Sequence, residues 1–433
     1  MLTTLGFGMV ASFMYLIMSK RLTPVLALIL VPIIFGLLAG AGGELGAMML
    51  DGIRNIAPTG VLLMFAILYF GIMIDTGLFD HPVRLILKLV KGDPLKVVIG
   101  SVALALLVSL DGDGSTTYMI CCAAMLPLYK RLGINPLIMT CLFMLASGVM
   151  NLTPWGGPTA RAASALSLDP ADIFVPMILP MVAAIAWLFL LASLFGLRER
   201  KRLGVLKERL VENDTEVFVS PDEHARRPKL LWFNGLLTLG LMAALISGIL
   251  PLPILFMIGF CIAMVVNYPS LAMQKARIDS YAPSVLAVVS IIFAAGVFTG
   301  ILGGTGMVEA MSTSLISVIP PSMGPYLAPI TALLGLPFTF LMSNDAFYFG
   351  VLPVLAETAS HYGISTVEIA RASIICQPFH LLSPLVPSTY LLVGLAGVDF
   401  GDHQRFTFFL AIITSLVMMF AAMALGMFPL LAS

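Results

Sequence analysis

Charge is scarce in this sequence. Only 11% of its 433 residues are Asp, Glu, Lys or Arg, whereas 59% are hydrophobic. A soluble domain carries about 25% charged residues, so an ordinary water-soluble body is excluded and lipid is the main solvent. Neither sign of charge is in excess: 23 basic and 23 acidic residues cancel, which leaves no reason to expect nucleic acid or another polyanion as partner. Cysteine is sparse as well. Cys121, Cys122, Cys141, Cys261 and Cys376 sit inside apolar segments without disulfide or metal-ligand spacing, and read as small buried hydrophobes. The first apolar run, 1–18, lacks a basic n-region and an A-x-A-like cleavage site. With Lys20 and Arg21 following, it reads as a spanning helix and not as a removed signal peptide.

What the sequence has in plenty is apolar runs long enough to cross a hydrocarbon core about 30 Å thick. Spans are predicted over 2–18, 22–41, 56–74, 136–168 and 172–197, then over 230–249, 252–268, 282–302, 366–397 and 406–431. Two further pieces, 97–129 and 324–360, are apolar but broken near their middles by polar residues. Each reads as a helical hairpin of short arms that enters and leaves by one face, with its tip shielded by protein or lining a cavity. If Lys20 and Arg21 are cytoplasmic, the alternation places 20 of the 23 basic residues on that side, in accord with the positive-inside rule. The first hairpin then opens to the cytoplasm, the second opens outside, and both termini lie outside. Residues 78–91 mix apolar and basic positions at helical spacing, as in a helix lying in the interface or a plain amphipathic connector.

A shift of 230 residues lays the second half on the first. Tyr118 falls on Tyr348, Gly133-Ile134 on Gly363-Ile364, Thr153-Pro154 on Ser383-Pro384, and Thr159 on Thr389. The expected organisation is a first repeat over 1–197, a charged cytoplasmic linker over 198–229, and a second repeat of opposite orientation over 230–433. The fold class is thus an all-α polytopic membrane protein of two inverted repeats, about ten spans and two hairpins, each repeat with a re-entrant hairpin (97–129, 324–360) and a broken helix (136–168, 366–397). Inverted repeats with paired broken helices mark alternating-access carriers, whose site lies where the breaks meet.

The polar residues gather at those places. The first tip, SLDGDGSTTY, sets Asp111 and Asp113 among glycines and follows them with Gly114, Ser115 and Thr116. The second tip, LMSNDAFYFG, brings Ser343, Asn344 and Asp345 together. Each ionised carboxylate at mid-bilayer costs roughly 2.5–3.5 kcal/mol on insertion scales, so function or pairing with a cation must offset three of them. Hard oxygen ligands suit Mg²⁺, Ca²⁺ or Na⁺, and a desolvated carboxylate can carry a proton. The alternative is a solvated loop; an EF-hand is excluded, because the loop lacks Gly at its sixth position and Glu at its twelfth. The breaks, NLTPWGGPTAR and LLSPLVPSTY, offer Asn151, Thr153, Gly157, Thr159 and Arg161 in the first half, and Ser383, Ser388 and Thr389 in the second. Proline frees a carbonyl one turn earlier, and half-helix N-termini attract carboxylates. Simple proline kinks are the competing account. Arg161 is the one basic residue deep in a span, where it could hold a substrate carboxylate or snorkel to the interface. His380, just before the second break, could relay protons or make a polar helix–helix contact.

The opening GFGMVASFMYLIMSKRLTPVLALILVPIIFGL, the tip LDGDGSTTYMI and the break NLTPWGGPTAR resemble the CitMHS family of citrate–divalent-metal/proton symporters, over essentially the whole chain. That family is similar to a wider ion transporter superfamily, many of whose sodium-coupled dicarboxylate carriers have Ser-Asn-Thr at both tips. Here the second tip replaces the third residue with Asp345, and the first departs entirely, which weakens a sodium-coupled reading. The resemblance implies a homodimer in the bacterial inner membrane. It also implies a secondary transporter that imports citrate as a Mg²⁺ or Ca²⁺ complex by proton symport, with no permanently bound cofactor. Asp111, Asp113 and Asp345 are expected to face metal or protons, and the remaining tip and break residues to face substrate. The nearest rivals are a carrier of another di- or tricarboxylate and a sodium- or proton-coupled ion carrier. An intramembrane aspartyl protease is disfavoured, because Leu110 stands where G-x-G-D needs its first glycine.

Overall fold

Polar residue–proline steps decide where many helices begin. Pro24, Pro94, Pro136 and Pro170 occupy first helical positions, where a missing N–H costs nothing. The residues before them, Thr23, Asp93, Asn135 and Asp169, each accept a backbone N–H of the first turn. The computed structural model describes residues 1–90, 93–112, 114–204 and 225–432, and its regular structure there is helical, without a strand.

The first half runs Leu2–Met18, Pro24–Leu38, Leu45–Asp75, Asp80–Val90, the pair Pro94–Val108 and Gly114–Leu132, the pair Pro136–Met150 and Gly157–Leu166, and Pro170–Leu203. The second half follows the same order: Leu231–Ser247, Leu252–Asn267, Leu271–Gly304, Met307–Val318, the pair Leu327–Leu341 and Ala346–Ser360, an interrupted helix from Thr366–Ser373 through Gln377–His380 to Pro387–Ala396, and Phe400–Ala424. Gly148 of one interrupted helix packs on Pro378 of the other, so close that a methyl at Gly148 would come within 2.6 Å of the Pro378 Cα. Under the shift of 230 these two positions are each other's counterparts.

Leu45–Asp75 and Leu271–Gly304 cross antiparallel. Gly52 lies against Gly296 and Gly300, while Asp75 at the far end reaches Arg277, Nη1 to Oδ2 3.0 Å. Both helices begin well before the apolar windows at 56 and 282. The windows stop at charged residues such as Asp51, Arg54 and Arg277, whereas backbone hydrogen bonding carries the helix past them. Among the described residues seven helices are long and apolar enough to cross a membrane, and the first arm of each hairpin, Pro94–Asp111 and Gly324–Leu341, is one of them, longer than the short arms expected. Several of the expected spans, such as Pro24–Leu38 and Leu252–Asn267, fall in the range of 10–17 residues. Four of the cysteines are buried as expected; Cys261 is exposed on Leu252–Asn267.

The expected linker divides into three parts. Its start continues the preceding helix to Leu203, residues 205–224 lie outside the described residues, and its end is tied down. Arg226 pairs with Asp80 at 3.0 Å, and Arg227 donates Nε–H to the Asn267 carbonyl at 2.7 Å while lying 4.7 Å above the Tyr268 ring. Burial lifts the Asp80 carboxyl above its ordinary value, against the pull of Arg226 and Arg84. Arg226 thus fastens the end of the linker to the helix Asp80–Val90, which lies within the stretch 78–91 where a helix in the interface or an amphipathic connector is expected.

Candidate functional site

The first hairpin turns through a tight helical turn, Ser109–Asp111, and then Gly112, whose φ of +79° suits glycine. Asp111, Ser115 and Thr116 are half-buried there, and Asp113 lies outside the described residues. The last-turn carbonyls of a helix need donors from elsewhere. At the first tip the donor is Trp155 of the first break, whose indole N–H meets the Leu110 carbonyl at 2.8 Å. Its ring is held by Phe70 and Phe256, with centroids 5.2 and 5.1 Å away. Trp155→Phe keeps that packing and removes one hydrogen bond, about 0.5–1.5 kcal/mol. A three- to tenfold loss of uptake at unchanged membrane expression is expected, read by transport assay and immunoblot.

The second hairpin is fastened in the same way by different residues. Ser383 Oγ donates to the Phe340 carbonyl and His380 Nδ1 to the Thr339 carbonyl, both at 2.7 Å. His380 therefore makes a hydrogen-bonded contact between helices. Ser343 Oγ accepts the Ala346 N–H at 3.2 Å and starts the second arm. Because Trp155 serves the first half where Ser383 serves the second, Thr153 Oγ1 remains buried without a partner among the described residues.

The breaks are braced internally. Thr159 Oγ1 donates to the Leu152 carbonyl at 2.8 Å, and Thr389 Oγ1 donates to the Leu381 carbonyl. Both hydroxyl protons are therefore committed to the break, which leaves only their oxygens for a ligand. Asn151 caps the half-helix Pro136–Met150, and Gly157 opens the next one.

Across the centre the halves exchange partners. Arg161, one turn into Gly157–Leu166, donates its Nε–H to Asp345 Oδ1 of the second tip at 2.6 Å. Gly157 leaves room for that guanidinium, since a methyl there would stand 2.7 Å from Nη1. Reciprocally, Gly114 of the first tip faces Ser388 at the start of Pro387–Ala396, 3.4 Å from where a methyl would be. Each hairpin thus meets its own break through a carbonyl, and reaches the other half's post-break helix through the Asp345 side chain at the second tip and through the backbone of Gly114, against the Ser388 side chain, at the first. Arg161 and Asp345, expected to serve carboxylate and cation separately, are brought together as one pair, with side chains 23% and 11% exposed. Among the described residues no three His, Cys, Asp or Glu side chains converge on one point.

Two residues escaped the sequence reading. Trp155 is one. The other is Gln377, fully buried just ahead of the second break, whose amide donates to Tyr348 Oη at 2.9 Å and to Asn344 Oδ1 at 3.3 Å. Its Oε1 accepts from Asn344 Nδ2 at 3.4 Å. A lone amide inside the apolar run SIICQPFH is the signal that could have found it.

Two hairpins whose tips meet the breaks of two interrupted helices define a polytopic membrane transporter. The chain belongs to the citrate transporter family, whose model matches residues 13–376. It is 58% identical over 427 residues to a citrate transporter of Bacillus subtilis (strain 168), covering 98% of this chain and 99% of the relative. It is 55% identical over 427 residues to the Mg(2+)/citrate complex secondary transporter of the same organism, with the same coverage. In fold it is similar to the YdaH transporter of Alcanivorax borkumensis, with a TM-score of 0.58 at 13% identity, covering 89% of this chain and 90% of that one. It is also similar to MtrF of Neisseria gonorrhoeae, with a TM-score of 0.59 at 15% identity, covering 89% and 83%.

Proposed function

We propose that this protein imports citrate as a complex with a divalent metal ion, Mg²⁺ or Ca²⁺, together with protons, by alternating access at the place where the two tips and the two breaks meet. The observation that carries this reading is the Arg161–Asp345 pair, which joins the first break to the second tip. A metal–citrate complex holds a cation and carboxylates in one body, so it can take both members of the pair at once: carboxylate to guanidinium, metal to Asp345. Bare citrate, with about three negative charges, offers nothing to Asp345 and is far harder to dehydrate than a chelate of about one. Protonation of Asp345 or Asp111 would supply the coupling, each inward proton gaining roughly 2.3 kcal/mol per 100 mV.

In this reading Thr153, Ser343, Asn344, Ser388 and Gly114, on the same tips and breaks, serve the carboxylates and hydroxyl of citrate. The Gly148–Pro378 contact supports the repeat relation, since a position that touches its own counterpart belongs on a two-fold axis. The charge distribution supports a cytoplasmic linker and outside termini, in a bacterial plasma-membrane homodimer.

Labelled citrate uptake into energised vesicles tests this. Uptake that needs Mg²⁺ or Ca²⁺, stops with a chelator and collapses with a protonophore is the expected result. Uptake indifferent to metal would instead indicate a carrier of free carboxylates.

A further inference from the structure

A cavity of about 410 Å³ opens between two groups of helices. One wall is the crossing of Leu45–Asp75 and Leu271–Gly304, through Asn55 and Thr299; the other is the helix Gly157–Leu166 and the second arm of the second hairpin, through Ala165 and Pro353. Its volume falls within the range of small-molecule sites, about 300–1,000 Å³. Its position ties it to the central pair. Ala165 lies four residues beyond Arg161 on the same helix, hence on the same face and about 6 Å further along it. Pro353 and Glu357 lie on the arm that rises from Asp345. Arg161 thus lies one turn into, and Asp345 at the start of, helices that form the cavity wall.

The lining has a distinct chemistry. Glu309 and Glu357 border it, Asn55, Thr299 and Thr366 add neutral hydrogen-bonding groups, and no Lys, Arg or His takes part among the described residues. Neither glutamate makes a side-chain ion pair among the described residues. A trianion is repelled strongly by such a chamber, whereas a complex of about one net negative charge is repelled far less and presents its cation to the glutamates. The helix ends that meet here, Leu166, Gly304 and Ser360, are opposite to the end where Arg277, Arg226 and Arg227 gather, so the positive-inside rule sets the cavity on the outer side.

Resting on the function proposed above, we infer that this cavity is an outer antechamber in which a divalent-metal–carboxylate complex is received and free tricarboxylate is turned away. Glu309 and Glu357 are its specificity-determining residues, ahead of the Arg161–Asp345 pair.

Two measurements on the full-length protein in cells test it. In a Cys261→Ser background, Thr299→Cys is exposed to a membrane-impermeant maleimide from outside. Labelling that Mg²⁺–citrate slows at least fivefold, and citrate with excess chelator leaves unchanged, is expected. No labelling, or labelling that Mg²⁺–citrate does not slow, overturns the antechamber. Second, the Glu309→Gln, Glu357→Gln protein is expected to be inhibited at least fivefold more strongly by metal-free citrate than the wild-type protein. Unaltered inhibition overturns the role of the glutamates. A wild-type protein that carries no metal–citrate at all would sink the underlying function, while external labelling of Thr299→Cys would still report whether the chamber faces outside.

Discussion

Arg161→Ala and Asp345→Asn are each expected to lower metal–citrate uptake at least a hundredfold. The two side chains meet at 2.6 Å and are largely enclosed, and removing one partner of a buried pair leaves the other charge uncompensated. That costs about 3–5 kcal/mol at full burial, and less here because Arg161 keeps some exposure. A hydrogen bond to a charged group is worth about 1.5–3 kcal/mol, so loss of the substrate contact alone accounts for roughly one to two decades. The double variant Arg161→Gln, Asp345→Asn separates folding from transport. Its neutral amides can still hydrogen-bond to each other, so detergent-solubilised protein should retain most of its thermal stability while uptake stays lost. Transport at wild-type rates by that double variant would remove the pair from the mechanism. Arg161→Lys should recover expression but only part of the uptake, because an ammonium lacks the planar fork that can hold Asp345 and a citrate carboxylate in turn.

The second large effect is expected at Gln377. Gln377→Leu keeps the volume and strips the amide from a fully buried position, leaving Asn344 and the Tyr348 hydroxyl each without the Gln377 contact. An unsatisfied buried polar group costs about 1–3 kcal/mol. Part of that falls on stability, and part on the second tip, because Gln377 fixes how the Asn344 amide points. The expected outcome is at least a tenfold rise in KM for metal–citrate with a smaller change in maximal rate. Gln377→Asn should move KM less, since a shorter amide still reaches one of the two partners. A fall in maximal rate alone, with KM unaltered, would mean that Gln377 serves only packing.

Much of the candidate site's make-up was legible along the chain. Ser343-Asn344-Asp345 stood out because a carboxylate between two apolar arms must have a use or a partner, and Arg161 because it was the one basic residue deep in a span. Prolines and glycines marked both breaks, where Pro136–Met150 and Gln377–His380 do end. Asp111 and its neighbours announced the first tip. The roles of Thr159 and Thr389 were less legible. Their spacing from the prolines brought them to notice, but their hydroxyls close the breaks from within. Trp155 and Gln377 gave little signal, since an aromatic or an amide in an apolar run is common and acquires meaning only from what it faces.

The sequence by itself determined where the chain is apolar, where its proline-capped helices start, and which polar groups interrupt its apolar runs. Those are local matters of transfer free energy, capping and proline geometry, written within a few residues of each other. Only the tertiary structure decided the partners. Arg161 and Asp345 are 184 positions apart, Trp155 and Leu110 45, Gln377 and Asn344 33. A guanidinium in an apolar run must find an anion, yet nothing in its neighbourhood along the chain states which one. The choice falls to the packing of two halves against each other, Gly148 on Pro378 and Gly52 on Gly296, because only a close approach of backbones brings a tip of one half within hydrogen-bond reach of a break in the other.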